Sequence, residues 1–128
     1  MRSQVLVTGG TGYIGSHTTV ELIEDGYDVV IIDNLSNSRI NVLDGIEKIT
    51  GVKPHFENFD LCDKDLLHDF FKRHHRIDSI IHFAASKAVG ESVEKPIEYY
   101  RNNLVSIINL LESMSAFDIR CFVFSSSC

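Results

Sequence analysis

Thr8-Gly9-Gly10-Thr11-Gly12-Tyr13-Ile14-Gly15 joins a short β-branched run, Val5 to Thr8, to a stretch with helical spacing marked by Ile14, Thr18 and Leu22. In that context a glycine-rich segment is a strand-to-helix turn and not a bare pattern match. Gly9 permits the tight turn, Gly12 lets the backbone approach a diphosphate that would collide with a Cβ, and Gly15 lets the helix pack closely on the strand. The positive end of the helix dipole and its free N–H groups then face the phosphates. The spacing is G-x-x-G-x-x-G and not G-x-G-x-x-G, which points away from the two-domain dehydrogenases. No Lys-Ser or Lys-Thr follows the last glycine, which excludes a P-loop.

Eighteen residues beyond Gly15, Asp33 ends the second β-branched run. A carboxylate there accepts hydrogen bonds from both hydroxyls of an adenosine ribose. Its charge repels a 2′-phosphate, so the expected cofactor is NAD and not NADP. The alternative is a glycine-rich turn without a ligand and a solvated Asp33, which requires turn, context and acidic spacing to coincide by chance.

Similar β-branched runs recur along the chain, at Val5 to Thr8, Val29 to Asp33, His55 to Phe59, Ser79 to Phe83 and Cys121 to Ser125. Their apolar residues are adjacent instead of alternate, as in strands covered on both faces. Longer helical stretches separate them, including one with Leu66, Leu67, Phe70 and Phe71 and one from about Ser92 to Phe117 with Leu104, Ile107, Ile108, Leu111 and Met114 along one side. Alternation of this kind implies an α/β fold, a Rossmann-type doubly wound parallel sheet. Crossover handedness favours five strands in the order 3-2-1-4-5, with a ligand crevice at their carboxyl ends beside strand 1. Gly26 stands where the first helix stops, and Pro54 stands at the edge of the third strand, where a missing N–H is tolerated.

At 128 residues the chain matches one domain. Twelve basic against eighteen acidic side chains leave a net charge of −6, with no basic tract, which argues against nucleic acid as a partner. The sequence holds no apolar run of the ~18 residues a membrane span needs, and its start lacks the pattern of a secretory signal. Cys62, Cys121 and Cys128 form neither a C-x-x-C pair nor a disulfide framework, so the expectation is a reducing cytoplasm and no metal site.

Further candidates lie at strand ends. Asp60 can accept from an adenine amino group or simply cap a turn. Phe83-Ala84-Ala85 offers small residues where a cofactor passes, and Lys87 can reach phosphate or ribose oxygens or stay a surface lysine. Ser125-Ser126-Ser127 ends the fifth strand, where catalytic groups collect, although hydroxyls also cap helices. His68, His74 and His75 have no ligand-spaced partners nearby in sequence and read as solvent-facing, while His82 reads as a satisfied core histidine.

With these residues in hand, the chain resembles the extended short-chain dehydrogenase/reductase superfamily, and within it the UDP-glucose 4-epimerase family. The resemblance spans essentially the whole chain. It rests on T-G-G-T-G-Y-I-G-S-H-T at 8–18, D-N-L-S-N-S at 33–38, H-F-A-A-S-K-A-V-G-E-S at 82–92, P-I-E-Y-Y-R-N-N at 96–103 and F-S-S-S at 124–127. K-A-V-G-E-S followed by Y-Y-x-N-N is its most specific part. Many members carry Gly-Leu where this chain has Ala85-Ser86, and Ala where it has Cys128; both exchanges are small.

The resemblance implies that Tyr13 and Ile14 contact the pyrophosphate through the backbone, with Gly9, Gly12 and Gly15 shaping the turn. It implies that Asp33, Asn34, Leu35, Ser36, Asn37 and Ser38 wrap the adenosine ribose and that Asp60 and Leu61 flank adenine. Phe83, Ala84, Ala85, Ser86 and Lys87 would line the middle of the cofactor, Asn102 would reach it from the long helix, and Ser127 would be catalytic beside the nicotinamide and the sugar. The implied activity is an isomerase of galactose metabolism interconverting UDP-glucose and UDP-galactose through a 4-keto sugar, as a homodimer. Its base is a tyrosine with a lysine four residues later, and no suitable Tyr-x-x-x-Lys occurs in these 128 residues. The expectation is therefore an NAD-binding domain over 1–128, the N-terminal part of an epimerase without its substrate domain and inactive alone. Alternatives are another nucleotide-sugar dehydratase or decarboxylase of the superfamily, or a non-catalytic NAD-binding module.

Overall fold

The computed structural model describes residues 4–9, 13–33, 41–83 and 96–125. The elements in chain order are β1 (Gln4–Thr8), α1 (Tyr13–Glu24), β2 (Asp28–Ile32), α2 (Asn41–Thr50), β3 (His55–Glu57), α3 (Lys64–Arg73), β4 (Ile77–Phe83), α4 (Pro96–Ala116) and β5 (Cys121–Ser125). All strands pair in parallel, in the order β3-β2-β1-β4-β5. This is the doubly wound sheet that the alternation of segments implies.

Two apolar clusters hold the sheet between its helices, one on each face. Leu6, Val30, Ile32 and Ile80 meet Leu67, Phe70 and Phe71 of α3 and Leu110 of α4. Val5, Val7, Val29 and Ile31 turn the other way, against Leu43 and Ile46 of α2 and Val20, Leu22 and Ile23 of α1. Successive strand residues thus point to opposite buried faces, which is why the strands read as unbroken apolar runs. Among the described residues, no buried side-chain nitrogen or oxygen lacks a partner.

Helix ends follow from local chemistry. Gly26 ends α1 at φ +96°, with its N–H on the Ile23 carbonyl and the Tyr27 N–H on the Leu22 carbonyl, each at 3.0 Å. That pair of bonds is a Schellman cap, and it needs the left-handed conformation glycine adopts freely. Asp63 caps α3 by accepting from the Leu66 N–H at 3.1 Å. The far end of α3 is tied to the sheet where Arg73 forks onto both oxygens of Glu57 at 2.8 and 2.7 Å. Chiefly through that fork, the Glu57 carboxyl is held down to about 2.

The structure moves one expected strand end and sorts two apolar rows between core and surface. β3 stops at Glu57 instead of Phe59, because its partner β2 ends at Ile32, opposite Glu57. Leu66 is exposed on α3, and only Leu67, Phe70 and Phe71 reach the core. On α4 the buried side runs through Asn109, Leu110 and Ser113, while Leu104, Ile108 and Leu111 face outward. β5 forms one edge of the sheet, with Val123 and Phe124 about half exposed.

Candidate functional site

The carboxyl ends of β1, β2 and β4 meet around Gly9. Its N–H donates to the Ile32 carbonyl at the end of β2, at 3.0 Å. Its φ is +75°, and a Cβ placed there would stand 3.1 Å from the Phe83 carbonyl oxygen and 3.3 Å from the Phe83 Cβ at the end of β4. The turn therefore needs glycine twice over, for its backbone angle and for its close approach to β4. Four residues on, α1 begins at Tyr13, and its first turn carries no acidic side chain to occupy the positive end of the dipole. Within α1, Gly15 is buried and its carbonyl accepts from the Thr19 hydroxyl at 2.8 Å.

Asp33 follows β2 directly, half-buried, with its N–H on the Glu57 carbonyl at 3.2 Å. The bond extends the β2–β3 ladder by one step and fixes Asp33 next to Ile32, the residue that holds Gly9. One carboxylate and one glycine turn thus stand at the ends of adjacent strands, an arrangement that fits a ribose beside a diphosphate.

Beneath the turn, Thr8 and His82 are paired neighbours on β1 and β4, both buried, and the Thr8 hydroxyl is hydrogen-bonded to His82 Nδ1. Phe122 and Phe124 lie against the imidazole, with ring centroids 6.4 and 5.6 Å away. Burial pushes the His82 pKa down to about 4, so the ring is neutral at neutral pH. His82 is the satisfied core histidine that was expected.

Asp60 is exposed and accepts from the Cys62 N–H at 2.9 Å, which is the turn-capping alternative. Leu61 packs against the α3–α4 core, and its carbonyl accepts from Asn109 Nδ2 of α4 at 2.9 Å. Asn109 is not among the residues expected from the sequence, where its one mark is an amide in an otherwise apolar stretch of helix. Phe83 is half-buried and pairs with Ser125 of β5. Tyr13 and Ile14 open α1 and Asn102 lies within α4. Gly12, Asn34, Leu35, Ser36, Asn37, Ser38, Ala84, Ala85, Ser86, Lys87 and Ser127 lie outside the described residues. At the opposite end of the strands, a cavity of about 340 Å³ between Tyr27, Lys53, Pro54, His55 and Arg76 includes none of the expected site residues.

The family model described as the NAD dependent epimerase/dehydratase family matches residues 5–128. The chain belongs to this family. Within the NAD dependent epimerase/dehydratase family it is 56% identical over 123 residues to the UDP-glucose 4-epimerase uge1 of Schizosaccharomyces pombe, covering 96% of this chain and 34% of that protein. It is 48% identical to a UDP-glucose 4-epimerase of Klebsiella pneumoniae, covering 97% of this chain and 88% of that one. A crystal structure of UDP-glucose 4-epimerase from Bifidobacterium longum in complex with NAD+ and UDP superposes with a TM-score of 0.91 at 47% identity, over 98% of this chain and 37% of that one. The chain therefore spans about a third of the length of most of the curated relatives it matches.

Proposed function

We propose that this chain is the NAD-binding part of a UDP-glucose 4-epimerase, an enzyme of galactose metabolism that interconverts UDP-glucose and UDP-galactose. The observation that carries this reading is the junction at Gly9: a glycine with no room for a side chain, opening a helix with no acidic first turn, one strand away from Asp33. The relatives named above support the substrate class, since they are UDP-glucose 4-epimerases and one holds both NAD+ and UDP.

Gly9, Gly12 and the first amides of α1, at Tyr13 and Ile14, would hold the pyrophosphate. Asp33 with residues 34–38 would bind the ribose, Asp60 and Leu61 would flank adenine, and residues 83–87 with Asn102 would line the middle of the cofactor. Bound NAD supplies a hydride acceptor that later gives the hydride back. Ser127 would stand beside the reacting sugar and assist the base at its 4-hydroxyl. The outward row of Ile97, Leu104, Ile108 and Leu111 on α4 supports a homodimer in the whole protein, and a cytoplasmic place suits Cys62 and Cys121, which are not joined in a disulfide. Among the described residues, no helix is long and apolar enough to cross a membrane.

Calorimetric titration of NAD into the chain tests the cofactor site. Asp33→Ala should weaken NAD by about tenfold or more, roughly 1.4 kcal/mol per decade, and should narrow the preference for NAD over NADP. Equal NAD binding by both proteins overturns the site. The whole protein should convert UDP-galactose to UDP-glucose; loss of water or carbon dioxide from a nucleotide sugar would make it a dehydratase or a decarboxylase.

A further inference from the structure

On the α3 side of the sheet, far along the chain from the glycine turn, three potential metal ligands converge. His55 and Glu57 are two residues apart on β3 and so share a face, and His74 is the residue that ends α3, its N–H on the Phe70 carbonyl at 2.9 Å. His55 Nε2 and His74 Nε2 each lie 3.0 Å from Glu57 Oε2, and the three ligand atoms are within 4.8 Å of one another. The expectation of solvent-facing, unpartnered histidines fails for His74, which is half-buried against the Phe70 ring with centroids 4.5 Å apart. Its partner comes from seventeen residues upstream, across the β3–α3 connection.

We propose that His55, Glu57 and His74 form a binding site for one divalent transition-metal ion of the zinc type, which joins β3 to the end of α3. Bonds of about 2.1 Å to nitrogen and oxygen, set at the tetrahedral angle usual for zinc, separate two ligand atoms by about 3.4 Å. Both nitrogen–oxygen separations are 3.0 Å, so each imidazole and the carboxylate need to part by about 0.4 Å to admit the ion. The two nitrogens, within 4.8 Å of each other, take up a separation of about 3.4 Å when the half-exposed His55 side chain rotates.

Two imidazoles with one carboxylate select zinc, cobalt, nickel or copper over magnesium and calcium, which prefer oxygen ligands. Water completes the coordination. Without metal, each imidazole can donate Nε2–H to Glu57; on binding, each neutral ring carries its proton on Nδ1 and presents the Nε2 lone pair to the ion, with no redox step. Arg73 Nη1 gives up Oε2, while Nη2 keeps Oε1 at 2.7 Å and orients the carboxylate as an outer-shell partner. The charge of Arg73 is shared with Asp69, whose Oδ2 takes the Arg73 Nε–H at 3.1 Å, so Glu57 keeps negative charge for the ion.

The test is calorimetric titration of zinc chloride into the chelator-treated protein, followed by cobalt(II) absorption. The expected result is one zinc per chain, no saturable magnesium binding, and cobalt bands without a thiolate charge-transfer band. His55→Gln and His74→Gln should each weaken zinc by about tenfold or more, while His75→Gln, next along the chain and exposed, should stay within about twofold. Circular dichroism melts in chelator identify any variant that loses binding by unfolding; where His74→Gln melts early, His55→Gln on the exposed strand edge decides. The proposal is overturned by no saturable zinc binding, by binding that survives His55→Gln, or by a thiolate band assigning the metal to cysteine.

Discussion

Gly9 and Gly26 both hold positive φ, yet only Gly9 has a neighbour where a methyl group would go. Gly26→Ala meets open space and costs only the left-handed backbone, about 1–2 kcal/mol. Gly9→Ala adds crowding against the Phe83 carbonyl and Cβ, for a total of about 2–4 kcal/mol. Urea melts of the two variants should rank them in that order, and equal losses would mean that the contact with Phe83 adds no cost. His82 has a folded pKa of about 4 against 6.5 for an ordinary histidine. As pH falls from 6.5 to 4, the unfolded chain takes up a proton that the folded chain refuses, so stability drops, by about 3 kcal/mol in all at 1.36 kcal/mol per unit. The loss is complete below pH 4 and absent above 7. His82→Asn should flatten that slope in melts taken across the range; an unchanged slope would assign it to other groups. Gly9 and Asp33 were legible in the sequence because their chemistry is local to one turn and one strand end. The Thr8–His82 bond joins residues 74 apart and the Asn109–Leu61 bond residues 48 apart. Nothing local in the chain marks either pairing.

α3 shows how one position separates core from surface. Leu67 is fully buried, whereas its neighbour Leu66 is 47% exposed. Leu67→Ala should cost about 2–5 kcal/mol in thermal or chemical melts, and Leu66→Ala about 0.5 or less. Similar losses would mean that α3 is rotated about its axis from the orientation described. Two adjacent leucines satisfy helical spacing equally well in sequence, so only the packing against Phe70 and Phe71 distinguishes them. α4 presents the same ambiguity on a larger scale. It has two apolar rows, and periodicity alone gives no reason to turn Leu110 and Met114 inward and Leu104, Ile108 and Leu111 outward. The core side is the one that carries Asn109 and Ser113, polar residues that a hydrophobicity reading places at the surface.

For the molecule as a whole, the order of the strands was legible because each of the first four β-branched runs is followed by a helix long enough to cross back, which leaves few arrangements of a parallel sheet. The distribution of helices between the faces was not, since it depends on which cluster each apolar row enters. The central place of β1 has a consequence for how the protein is made. Its two neighbours are β2 and β4, and β4 begins only at Ile77. At about 5–20 residues per second, a ribosome needs roughly 3–14 seconds after Thr8 to supply that second neighbour. Through that interval β1 has one strand neighbour at most, so its other edge stays open to a nascent-chain chaperone, and slower translation between Asp33 and Arg76 prolongs the exposure.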